Sequence, residues 1–101
     1  MINVIASIQI KEGQKDRFLD IFKANVPNVL AEKGCLEYVP TVDVDSGLPP
    51  QQKDSTIVTI LEKWASLDDL KAHLIAPHML AYREQVKELV VQSSIKVLAA
   101  A

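Results

Sequence analysis

Cysteine is nearly absent from this sequence: Cys35 stands alone among 101 residues, without a partner for an internal disulfide or a second thiol for a zinc framework. Its expected role is that of a small buried hydrophobe. Long apolar runs are missing as well. Although 49% of the residues are hydrophobic, no run approaches the roughly 20 needed to cross a bilayer. The opening MINVIASIQI also lacks the basic region and cleavage site of a signal peptide. A soluble cytoplasmic protein with no membrane contact is expected. Nor is there an excess of basic charge: Asp and Glu total 13 against 11 Lys and Arg, mixed along the chain for a net charge of −2. No basic stripe is available for a phosphate backbone, and aromatics at 5% leave no cluster of exposed rings for base stacking. Nucleic acid is therefore an unsuitable partner. Glycine-rich phosphate loops, nucleophile elbows and nucleotide fingerprints are likewise absent.

What is present is patterned for one domain spanning residues 1–101. Ile2, Val4, Ala6, Ile8 and Ile10 alternate with Asn3, Ile5, Ser7 and Gln9, the period of a strand. After the turn signal Lys11-Glu12-Gly13, Phe18, Ile21, Phe22, Val29 and Leu30 recur at helical spacing up to Gly34, a C-cap position. Pro27 removes one amide donor inside this helix, so a kink near Asn25 to Asn28 is expected. CLEYVPTVDV (35–44) reads as a second strand, and its Pro40 favours a sheet edge or a bulge. DSGLPPQQKD (45–54) is a loop, and STIVTILEKW (55–64) a β-branched third strand. Ser66 to Asp69 forms a loose capping box for a short helix carrying Leu67, Leu70 and Leu74. Pro77 restarts a helix with Met79, Tyr82, Val86, Leu89 and Val90 on its stripe, and VQSSIKVL closes the domain as a strand.

The order β-α-β-β-α-β, with the second helix broken, is the split βαβ arrangement of ferredoxin-like α+β folds. Helices cover one face of such a four-stranded antiparallel sheet. Here the third strand has Ile57 and Leu61 on one side and Val58 and Ile60 on the other. Something must cover the second face, and a homodimer packed sheet to sheet is the economical expectation.

Taken together, IASIQIKEGQKDRFLDIF, LAEKGCLEY, the EKW ending the third strand and LKAHLIAPHM resemble the antibiotic biosynthesis monooxygenase family, particularly its quinol-monooxygenase-like members. The resemblance covers nearly the whole chain. It implies a dimeric α+β barrel of ferredoxin-like subunits, each with a pocket between sheet and helices. It also implies one of several chemistries. These are oxygenation of quinols or polyphenols by molecular oxygen without metal or flavin, isomerisation of a small phosphorylated carbonyl compound, and haem degradation. A non-catalytic ligand-binding dimer is the alternative outside enzymology.

Cofactor-free oxygenation needs a base to make the substrate an electron-rich anion, an apolar slot and a few hydrogen-bonding anchors. A neutral histidine, with an ordinary pKa of about 6.5, suits a phenolic proton. His73 lies at the edge of the apolar stripe and matches the histidine of the resembling segment, which makes it the candidate catalytic base against a structural or surface role. His78, just after Pro77, is a substrate-binding candidate whose bland alternative is a local helix-start contact. A metal site made from both is disfavoured: five residues on an unbroken helix would turn the side chains about 140° apart, zinc pairs on a helix use a spacing of four, and Pro77 leaves the relative direction of the two rings open. No metal and no bound cofactor are expected. Glu62 and Trp64 share a face of the third strand, one able to bind substrate hydroxyls or orient a histidine, the other to stack on a ring. Asn25 interrupts the first helix's stripe and is an anchor candidate or a partner for kinked backbone. Asn3, Ser7 and Gln9 could line the barrel interior or pocket, and Tyr38, Tyr82 and Arg83 a pocket or interface.

Overall fold

The computed structural model describes residues 1–101. Its elements run β1 (Ile2–Ile10), α1 (Lys15–Leu30), β2 (Cys35–Thr41), β3 (Ile57–Trp64), α2 (Leu67–Leu74), α3 (Pro77–Val86) and β4 (Val90–Leu98). The strands form one antiparallel sheet in the order β2-β3-β1-β4, the ferredoxin-like α+β arrangement.

Each boundary has a local cause. Gly13 and Gly34 both adopt φ +79°, a left-handed turn that ordinary side chains resist. At Gly34 there is also no room for one, because a Cβ would collide with the Asp69 carboxylate. Gly34 therefore belongs to the turn into β2 and is not the C-cap, which is Ala31, so α1 ends at Leu30, the last residue of its stripe. Pro27 sits inside α1 without ending it, and its carbonyl accepts from the Ala31 amide at 3.2 Å. Ser66 caps α2 by accepting from the Asp69 amide at 3.1 Å, as the capping pattern requires. Ile75 and Ala76 separate α2 from α3, which opens on Pro77 and ends at Val86. Leu89 and Val90 thus leave the helical stripe for the turn and the start of β4.

Pro40 lies on an edge strand, and β2 carries a register shift between Cys35 and Glu37. The strand ends at Thr41, shorter than its composition implied, and residues 42–56 form the connection to β3. Cys35 is half-buried, not fully enclosed. Burial pushes its thiol above the ordinary value, helped by the charges of Glu32 and Glu62.

Alternation aims Val4, Val58, Ile60, Glu62 and Trp64 at the helices, where Phe18, Phe22, Val29, Leu70, Met79 and Tyr82 complete the core. Phe22 stacks on Tyr38 at 5.2 Å between ring centres and meets Tyr82 edge-on at 5.7 Å. The opposite sheet face presents Ile5, Leu61 and Val39 in one cross-strand row, all exposed. Ser7 and Gln9 share that outward face and do not join the helix-side cavity.

Candidate active site

Between the sheet and its helices lies a cavity of about 460 Å³, within the ordinary range of small-molecule sites, roughly 300–1,000 Å³. Its walls are mainly apolar, drawn from Ile8, Phe22, Ile60, Met79 and Val86 among others. His73, Glu62, Tyr38 and Tyr82 supply the inner polar groups, and Arg83, Lys87, Ser93 and Ser94 add to the lining.

His73 stands in the last turn of α2 and is 2% exposed. Its ring packs 4.6 Å from the Trp64 indole and meets Tyr38 edge-on at 5.5 Å. Nδ1 lies 2.8 Å from Oε2 of Glu32, a residue of the turn between α1 and β2. Glu62, on β3, accepts a hydrogen bond from Nε1 of Trp64 at 3.0 Å. Burial raises the Glu62 carboxyl above its ordinary value, while the Trp64 bond and the nearby His73 pull it back and Glu32 adds to the rise. Burial likewise pushes the Tyr38 and Tyr82 phenols upward. The Glu62 charge adds to both, whereas Arg83 opposes the rise at Tyr82. Both hydroxyls are held neutral and able to donate.

A raised carboxyl carries a stability signature. Between the ordinary value of 4.5 and its raised value, Glu62 keeps a proton in the folded chain that the unfolded chain has released. Stability therefore falls as pH climbs through that interval. Glu62→Gln should flatten this decline in urea denaturation measured across the interval. An unchanged slope would assign it to another group.

Three of the expected substrate contacts are placed elsewhere. Trp64 is fully buried, so its indole backs His73 and cannot stack on a ligand in the cavity. Asn25 is outside the lining: its amide donates to Met79 Sδ at 3.4 Å, and its Oδ1 accepts from Asn28 at 3.1 Å. His78 is also outside, with Nε2 3.1 Å from the same Glu32 oxygen that His73 contacts. That distance fits an ion pair, but the angle is too oblique for a hydrogen bond, and both His78 ring nitrogens are enclosed without one. The two histidines, expected to act separately, are thus joined through a carboxylate. The break at Ile75 and Ala76 sets the direction that Pro77 left open and brings both rings to Glu32. No group of three or more His, Cys, Asp or Glu side chains is arranged to hold a metal ion. Among the tyrosines and Arg83, whose pocket role was one of several readings, all three line the cavity.

Glu32 is the residue that sequence reasoning missed. It meets His73 across a separation of 41 positions, and no local spacing marks such a contact. Only its place in the turn before Gly34, next to the start of β2, could have drawn notice.

Known proteins show the same architecture. A conserved protein from Methanosarcina mazei superposes with a TM-score of 0.85 at 22% identity, covering 99% of this chain and 92% of its own. A Nitrosomonas europaea structure gives 0.84 at 18% identity, with 99% and 98% covered. At the sequence level, the chain is 42% identical over 100 residues to the "Probable quinol monooxygenase YgiN" of Escherichia coli K12, covering 97% of this chain and 96% of that relative. No helix is long and apolar enough to cross a membrane. Residues 1–85 match the family model described as antibiotic biosynthesis monooxygenase, and with that whole-chain identity the chain belongs to this monooxygenase family.

Proposed function

We propose that the protein is a cofactor-independent monooxygenase that oxidises a quinol or related polyphenol with molecular oxygen. The observation that carries this reading is His73 on the wall of a largely apolar cavity, with the Glu62 carboxyl and two neutral tyrosine hydroxyls on the same lining. The E. coli relative's name points to the same substrate class.

In this reading His73 takes a phenolic proton, and the resulting anion passes one electron to oxygen. Carbon–oxygen bond formation within that radical pair, with return of the proton, gives a ring hydroperoxide. Loss of water leaves a hydroxylated quinone, so one oxygen atom enters the product and the other leaves as water, with the quinol itself as reductant. Glu62, Tyr38 and Tyr82 hold the substrate oxygens, and the apolar walls keep the radical pair from water.

Oxygen uptake with a panel of reduced quinones tests the proposal, with the hydroxylated product identified by mass spectrometry. Uptake above the uncatalysed rate is expected. No uptake across the panel, together with a Soret shift on haem titration, would overturn it in favour of haem chemistry. The working unit in this reading is a homodimer covering the Ile5, Leu61 and Val39 row. Sedimentation showing a monomer would remove that part.

A further inference from the structure

The cavity accounts for one edge of the His73 ring and leaves its other edge, against Glu32, without a role in catalysis. A carboxylate oxygen only accepts, so a neutral imidazole bonded to it through Nδ1 carries its proton there. The lone pair is then left on Nε2, which forms no hydrogen bond within the chain. An unrestrained neutral imidazole divides between two tautomers, and only this one leaves Nε2 free to receive a proton. The ring cannot readily turn to exchange its nitrogens, being 2% exposed and held between Trp64 and Tyr38.

Glu32 is fixed in turn. It lies in a turn governed by Gly34, its side chain is 14% exposed, and His78 from the start of α3 stands 3.1 Å from the same oxygen. Two successive helices therefore converge on one carboxylate.

We propose that Glu32 is a positioning residue: its carboxylate holds His73 in the Nδ1–H tautomer with Nε2 as the acceptor on the cavity side, and His78 braces that carboxylate. The role in turnover rests on the reading of His73 as the base. The tautomer assignment does not. Partners of this kind, when removed from a histidine whose orientation matters, cost about 10–100-fold in function at metal sites, and a similar loss is expected here.

Long-range nitrogen–proton NMR of 15N-labelled protein, at a pH where the ring is neutral, reads the tautomer directly. The unaltered protein should show His73 protonated on Nδ1. Glu32→Leu should lose that bias and reduce kcat for quinol-dependent oxygen uptake by about 10–100-fold, with KM changed less than about twofold. His78→Gln should keep the tautomer and lower kcat less than Glu32→Leu does. A proton on Nε2 in the unaltered protein would overturn the assignment even where Glu32→Leu fails to fold. So would Glu32→Leu with unchanged tautomer or unchanged kcat, and an unchanged kcat in His78→Gln would remove the brace. The Nδ1–H tautomer in a protein that takes up no oxygen would overturn the quinol reading and uphold the Glu32–His73 assignment.

Discussion

His73→Ala is expected to lower quinol-dependent oxygen uptake by about 10²–10⁴-fold, the usual contribution of a positioned general base. The size follows from the lining. Glu62 is the other carboxyl or imidazole group on the cavity wall, its proton is retained more strongly than usual, and both tyrosines are held as donors. None of these replaces a neutral imidazole as an acceptor. Because His73 is buried against Trp64, alanine also opens a void, so His73→Gln should be measured beside it. Gln is similar in length but is a poor base, and it should be nearly as inactive while losing less stability. Uptake at more than a tenth of the original rate in both variants would remove His73 from the chemistry.

Trp64→Ala should produce the largest loss of stability, about 3–5 kcal/mol, as expected for deleting a fully buried aromatic ring. At roughly 4–8 °C per kcal/mol for a domain of this size, the thermal midpoint should drop by more than about 12 °C. The indole stands at a junction. It supports the imidazole of His73 and donates to Glu62, on a residue whose backbone stands opposite Ile2 of β1 and Cys35 of β2. Trp64→Phe separates these contributions, because phenylalanine keeps most of the apolar ring and removes the N–H. A smaller loss of about 1–3 kcal/mol is expected, the cost of leaving a buried carboxyl oxygen without its donor. Urea and thermal denaturation check both values. Equal losses in the two variants would show that the hydrogen bond, not the ring's bulk, dominates.

How far the sequence carried these conclusions differs by residue. The alternation of Ile2 to Ile10, the Ser66 cap, the Pro77 restart and the edge position signalled by Pro40 are local effects, and each appears where its chemistry placed it. Glu62 was legible as a carboxylate in an apolar row because strand alternation is rigid. Trp64 lies on the same face, yet whether that face met ligand or packed core depends on the helices above it, which alternation does not describe. Asn25 occupied the correct helix but was absorbed by Met79 and Asn28. The relation between His73 and His78 lay beyond helical phase, because two residues of non-helical chain before Pro77 redirect α3. Glu32 needed three separate segments to be brought together, information held by tertiary packing alone.

The cavity draws its lining from all seven elements, from Ala6 on β1 through Phe22, Tyr38, Ile60, His73 and Tyr82 to Ser93 on β4. No single hairpin or helix pair contains a usable fragment of it. A small molecule that fills the space therefore recognises only the assembled chain, and its binding free energy adds to the stability of the fold. At a hundred times its dissociation constant, such a compound contributes about 2.7 kcal/mol against unfolding. Resistance to heat thus becomes a readout for the unidentified substrate, independent of whether that compound is turned over.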